Sequence, residues 1–348
     1  MHIKSLRLKN FTVFDNFQLD VVSGINIFVG ENGTGKTHLL KAVYAACECS
    51  RNKNSVDDLL RCFKENQQEG NLLKNKSNRE LIISITTEGF NRTLRRGGKL
   101  LSASIVDLKR FASEAQNFDD SSYFIDIPDG KKFFAIYIPV KDMLTHSAGF
   151  LAMANRYRGD FPFDKTLTDI VIKASQWKVN QPTKLVLAIL PILEKMMAGT
   201  VVFENDDFYI RKHNGQLIRF ELEAEGLKKI GLLWQLLMTD NLNENSILIW
   251  DEPEANLNPR FLPKIVECLL ELSRHGVQIF LSTHNYIFAK YFNVRAKDSD
   301  SVMFHALYKE NGEVHVESNE NFSSLKNNAI MQTFDQLLDE VYNLDMGD

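Results

Sequence analysis

Ile25-Asn26-Ile27-Phe28-Val29, then Gly30-Glu31-Asn32-Gly33-Thr34-Gly35-Lys36-Thr37, then His38-Leu39-Leu40-Lys41-Ala42-Val43-Tyr44 is the stretch that organises this chain. The short apolar run predicts a strand, and the apolar spacing after Thr37 predicts a helix. Between them the spacing G-x-x-x-x-G-K-T is the P-loop pattern. Gly30, Gly33 and Gly35 let the backbone turn tightly, so that its N–H groups converge on phosphate oxygens with no Cβ in the way. The helix start adds its positive end. Lys36 reaches the outer phosphates as a point charge, and the Thr37 hydroxyl completes the shell of a Mg²⁺ ion. Asn32, Gly33, Thr34, Gly35, Lys36, Thr37 and His38 are the expected nucleotide contacts.

The chain has 348 residues, enough for one large or two modest domains with a substantial core. A formal charge of −4 gives no overall positive field toward nucleic acid or acidic membranes. The cysteines Cys47, Cys49, Cys62 and Cys268 show no metal-ligand spacing and read as buried free thiols in a reducing compartment. The N-terminus lacks a signal-peptide core, and no apolar run approaches the ~18 residues of a membrane span. A cytoplasmic protein with no membrane contact is expected.

Two N-terminal strands, 3–9 and 17–21, form a hairpin-like entry, with Phe11 and Phe14 read as core aromatics. A polar insertion follows at about 50–80, with one amphipathic patch (Val56, Leu59, Leu60, Phe63). Beyond the strand at 81–86, Arg92, Arg95, Arg96 and Lys99 cluster around Gly97-Gly98. They read as a solvated hairpin tip, or as a contact to a nucleic-acid backbone. After the β run 132–138, Lys141 is a candidate nucleotide-sensing residue. Apolar residues at helical spacing from 143 to 197 predict an α lobe with nothing catalytic in it, which makes it a partner-docking candidate. A hairpin closed by Asn214-Gly215 is expected to run from 200 to 222.

Ser246-Ile247-Leu248-Ile249-Trp250 predicts a buried strand that ends in Asp251-Glu252-Pro253-Glu254. Two carboxylates there are costly to bury unless they meet a cation or a reacting water. Asp251 is therefore the expected Mg²⁺-shell acid, and Glu252 the base that polarises the attacking water. Glu254 or Asn256 could simply cap the next helix. A second buried strand ends at Ser282-Thr283-His284, where the His284 imidazole could contact the γ-phosphate or hold the water.

These motifs, with the N-terminal Ile-x-x-Leu-x-Leu-x-Asn-Phe run, resemble the ABC-type ATPase heads of the SMC, RecF and OLD group. The resemblance implies an α/β P-loop NTPase with an N-terminal antiparallel β portion and an inserted α-helical lobe. It divides the chain into 1–142, the lobe at 143–197, and 198–348. It also implies ATP with Mg²⁺ as cofactor, bound between two protomers of a homodimer or higher oligomer. In such heads a signature loop touches the γ-phosphate held by the other subunit. Here that loop is Ala224-Glu225-Gly226-Leu227-Lys228-Lys229, without the family's serine. Glu225 beside a triphosphate is electrostatically awkward and fits slow turnover.

No sustained a/d heptads separate Lys36 from Asp251, unlike SMC heads, and no carboxylate cluster follows His284, unlike the OLD nucleases. What remains looks like a stand-alone ATPase of anti-phage defence, similar to the PtuA proteins of Septu systems and to retron-associated ATPases. Such proteins work with a separate effector, a nuclease or toxin. A RecF-like DNA-repair ATPase is the alternative, and an ABC transporter subunit a weaker third.

Overall fold

The computed structural model describes residues 2–51, 55–64, 72–75, 81–87, 90–96, 132–157 and 161–346. The chain opens with β1 (Ile3–Phe11) and β2 (Phe14–Asp20), paired antiparallel through Leu6 and Leu19. Their turn is tight enough to need a positive φ at Thr12 (49°). Phe11 and Phe14 on either side are fully buried, so both rings serve the core. β3 (Ile25–Gly30) leads into α1 (Lys36–Cys49), and the amphipathic patch forms α2 (Ser55–Phe63). β4 (Leu81–Thr87) and β5 (Phe90–Arg96) complete an antiparallel sheet in the order β2-β1-β4-β5. Arg92, Arg95 and Arg96 lie on β5, whereas Gly97, Gly98 and Lys99 fall outside the described residues.

β6 (Phe134–Ile138) precedes the helices α3 (Phe150–Arg156), α4 (Lys165–Ala174) and α5 (Lys184–Met197). Asp164 caps α4 by accepting from the Thr166 and Leu167 amides, as an N-cap carboxylate should. Residues 199–219 make three strands: β7 (Gly199–Glu204), β8 (Asp207–Lys212) and β9 (Leu217–Arg219). The expected Asn214-Gly215 turn joins the last two. The third strand is shorter than its composition predicts, because 220–222 turn into a 3₁₀ helix that buries Phe220 completely.

Then follow α6 (Glu225–Met238), β10 (Ser246–Asp251), α7 (Leu262–Arg274), β11 (Gln278–Ser282) and α8 (Tyr286–Arg295). The chain continues through β12 (Val302–Glu310) and β13 (Glu313–Asn319) to α9 (Ala329–Met346).

The central sheet runs β13-β12-β3-β11-β10-β6, parallel except for β13. Every residue of β3, β10 and β11 is buried, the mark of a parallel sheet covered on both faces. Alternation along β10 divides the covering. Ile247 and Ile249 pack with α1 and the antiparallel sheet, while Leu248 and Trp250 pack with the helices of 144–197 and with α6 and α7. All four cysteines are buried, and none is in a disulfide. Among the described residues no helix is long and apolar enough to cross a membrane.

Candidate nucleotide site

Parallel order sends the C-terminal ends of β3, β10 and β11 to one edge of the sheet, where ligands bind in open α/β sheets. The loop after β3 can follow its path only with glycine. Gly30 has φ 144°, and a Cβ there would lie 2.2 Å from the Leu307 carbonyl oxygen. Gly35 has φ 91°, and a Cβ would meet Val13 and Phe14 at 2.6 and 2.7 Å. The hairpin turn of β1 and β2 thus braces the start of α1. Thr34 is buried and its hydroxyl donates to the Glu31 carbonyl at 2.8 Å, closing the loop on itself.

Lys36 is buried and donates to the Gly30 and Glu31 carbonyls at 2.8 and 2.9 Å. Burial pulls its pKa down to about 8, against the opposing pull of Asp251, Glu252 and Glu31. Neutral carbonyls hold this ammonium, and an anion would repay its desolvation better. Glu31, Asn32 and Gly33 are exposed on the rim. His38 is exposed one turn into α1, edge-on to Phe63 at 5.8 Å.

Asp251 ends β10 beside Ser282 of β11, and only 3% of it is exposed. Three hydroxyls donate to its carboxylate: Thr37 at 2.9 Å and Tyr137 at 3.2 Å to Oδ2, and Ser282 to Oδ1. Glu252 turns outward because its backbone adopts φ 48°, an uncommon and strained conformation for a non-glycine residue. Its N–H donates to the Ser282 carbonyl at 3.2 Å, and its own carbonyl accepts from Lys229 Nζ at 2.9 Å. Two different elements therefore fix the peptides on either side of the Glu252 Cα. The Glu252 side chain is one-third exposed, with Oε1 3.6 Å from His284 Nε2. Burial, then the Lys36 charge, lowers the pKa of His284, so the imidazole is neutral at pH 7.

Glu254 does not cap a helix. It is buried, accepts from the Thr283 hydroxyl at 2.6 Å and the His284 N–H at 3.2 Å, and ties the loop after β10 to the loop after β11. Burial raises its pKa, and its Oε2 has no hydrogen-bond partner.

Lys36, Thr37, Asp251, Glu252 and His284 come together as the sequence predicts. Ala224-Glu225-Gly226 open α6, with Ala224 at the N-cap and no side-chain cap bond. Glu225 Oε1 accepts from Lys228 at 2.6 Å. A Cβ on Gly226 would lie 2.7 Å from the Asn256 carbonyl oxygen, so this segment rests directly on the loop after β10. Lys141 is exposed, its ammonium 5.3 Å from the centre of the Phe163 ring.

Sequence reasoning missed Tyr137, the contact of Ser282 with Asp251, and Lys229. Only the strand order could have signalled the first two. β6 and β11 flank β10 in register, with Trp250 opposite Ile138 and Asp251 opposite Ser282.

Two family models match the chain. "AAA ATPase domain" covers residues 1–135, and "AAA domain, putative AbiEii toxin, Type IV TA system" covers 177–289. Among solved structures, an Smc head bound to the C-terminal winged-helix domain of ScpA aligns with a TM-score of 0.55. It is 14% identical, over 94% of this chain and 100% of that one. The Smc head of Pyrococcus furiosus, bound to the C-terminal domain of ScpA, gives 0.51 at 12% identity over 98% and 99% of the two chains. The fold is that of an SMC-type ATPase head.

Sequence similarity to this head also extends to "DNA replication and repair protein RecF". The Clostridium botulinum protein is 29% identical over 110 residues, which are 32% of this chain and 29% of the relative. The Listeria monocytogenes protein is 35% identical over 91 residues, 26% and 25% of the two chains. The match thus spans under a third of the length of these curated relatives.

Proposed function

We propose that the protein is an ATP hydrolase whose heads pair around Mg·ATP to control a partner effector, a nuclease or toxin, in anti-phage defence. The observation that carries the ATPase reading is the convergence of Lys36, Thr37, Asp251, Glu252 and His284 at the ends of β3, β10 and β11. The donor set fits the cofactor. Thr37 Oγ1 and the Asp251 carboxylate, 2.9 Å apart, are hard oxygen ligands of the kind Mg²⁺ takes. Bound there, the ion would neutralise charge on the phosphate oxygens.

The chain's own residues supply the rest. The loop amides and Lys36 bind and orient the triphosphate. Glu252, one-third open to water, accepts the proton of the attacking water, and neutral His284 beside it orients that water. Glu254 holds the His284 backbone in place. Ala224, Glu225 and Gly226 of one head would face the nucleotide of its partner, and the Glu225 carboxylate there favours slow turnover.

The defence reading draws on the toxin–antitoxin description of the family model over 177–289. Glu252→Gln tests the base. Hydrolysis should slow at least about tenfold, or about 1.4 kcal/mol of barrier, with ATP binding kept. An unchanged rate would remove Glu252 from that role.

A second reading, a DNA-binding repair ATPase, is favoured by the RecF similarity. Its contact would run along Arg92, Arg95 and Arg96 of β5 and on to Lys99. Duplex DNA should then bind in a salt-dependent way that the triple Arg→Glu change abolishes.

A further inference from the structure

Five large apolar side chains on α9 lie open to solvent: Leu337 (52%), Leu338 (51%), Val341 (45%), Tyr342 (63%) and Leu344 (77%). They are not scattered. Ile330, Phe334, Leu337, Val341 and Leu344 follow a 4-3-4-3 spacing, the seam of a coiled coil, which Leu338 and Tyr342 widen on one side. The first turns of the helix are spent on the head itself. Ile330 packs against the main core, and Phe334 stacks on Tyr286 with ring centroids 3.9 Å apart. Beyond Phe334 the same stripe continues along the helix, and among the described residues nothing covers it. The exposed apolar residues of the α lobe (Met153, Tyr157, Ile172, Trp177 and Leu187) share no such seam, being spread over three helices, the C-cap of α3 and the 175–183 connection.

Charge says what kind of partner fits. Asp335, Asp339, Glu340 and Asp345 are the ionisable residues of α9 apart from Tyr342, and the helix has no Lys, Arg or His. On a helical wheel Glu340 borders the seam on one side and Asp345 on the other, with Asp335 just past Tyr342 and Asp339 on the far face. A second copy laid along the seam would set acid against acid at both borders. We propose that the α9 seam is a docking surface for a basic amphipathic helix of a different protein, with an apolar stripe flanked by Lys or Arg. The assignment stands whether or not the head hydrolyses ATP.

The test uses the full chain and two labelled helical peptides of about 18 residues. Both carry a Leu/Ile seam at a and d, one flanked by Lys and the other by Glu. Fluorescence anisotropy should show the Lys peptide binding at least about tenfold more tightly, with affinity falling as salt rises. Leu337→Ser with Val341→Ser should remove at least about tenfold of that affinity. Both positions are exposed, so the thermal midpoint should stay unchanged. A triple change, Asp335→Lys, Glu340→Lys and Asp345→Lys, should invert the preference toward the Glu peptide. Equal binding of the two peptides, or binding of neither, overturns the proposal. So does nucleotide-independent dimerisation of the chain that Leu337→Ser with Val341→Ser abolishes, which would make a second copy the occupant.

Discussion

The two ends of α1 both bury charge, and they do it differently. Toward its C-terminus, Glu48 meets Lys165 at 3.4 Å and Lys173 at 3.8 Å, and Lys165 meets Asp169 at 2.5 Å. Tyr44 donates to Asp169 and accepts from Lys173, at 2.5 and 3.1 Å. Arg51 adds a third cation on Glu48 at 3.3 Å, so cations and anions answer one another there, and the Lys165 pKa ends up raised by Asp169 and Glu48 despite the opposing effect of its burial. At the N-terminus, Lys36 rests on neutral carbonyls and Asp251 on neutral hydroxyls. A closed cluster serves the fold, whereas charges held by neutral dipoles are ready to exchange those dipoles for a ligand.

The contrast breaks most visibly at Lys165. Lys165→Met leaves Glu48 and Asp169 short of a partner in a buried place and should lower unfolding free energy by about 3–5 kcal/mol in urea titrations. Nucleotide affinity of the folded fraction should hold. Lys36→Met should do the reverse. Calorimetric ATP affinity should drop about a hundredfold, about 2.7 kcal/mol, while stability stays within about 1 kcal/mol.

His305 sharpens the comparison with a buried group kept neutral. It bonds to Ser318 Oγ at 2.8 Å and Asn26 Oδ1 at 3.3 Å, and burial lowers its pKa to about 3. The unfolded chain, with a histidine pKa near 6.5, then binds a proton that the folded one refuses. Stability is unaffected above that value and falls as pH drops below it, by about 2 kcal/mol at pH 5. His305→Gln should flatten that part of the pH profile in denaturant melts. The smallest effect is expected at Tyr137→Phe, which removes one of the three hydroxyl donors to Asp251. Steady-state turnover should fall about fivefold, about 1 kcal/mol.

The phosphate loop, the acidic pair and His284 were legible because each motif is local: a glycine turn, or a polar residue stopped at the end of an apolar run. The α/β order and the helical character of 143–197 were legible from periodicity. Tyr137 and Lys229 were not. A tyrosine closing a β run reads as core, and a lysine in the second turn of a helix reads as surface. Each reaches the site only through neighbours more than a hundred residues away or through the packing of α6 on the loop after β10. The contact of Glu254 was not legible for a similar reason, since its partner Thr283 belongs to another strand end. The Glu48–Lys165 cluster also escaped, because it joins helices that the sequence reads one at a time.

Gly226 meets the Asn256 carbonyl with no side chain between them, and Lys229, one turn later, grips the Glu252 carbonyl. The mouth of α6 and Glu252, the base proposed above, therefore share one stiff linkage. A body pressing on the outside of the molecule at Ala224–Gly226 could throttle hydrolysis without ever entering the cleft. The rate would then act as a gauge of contact made at the surface.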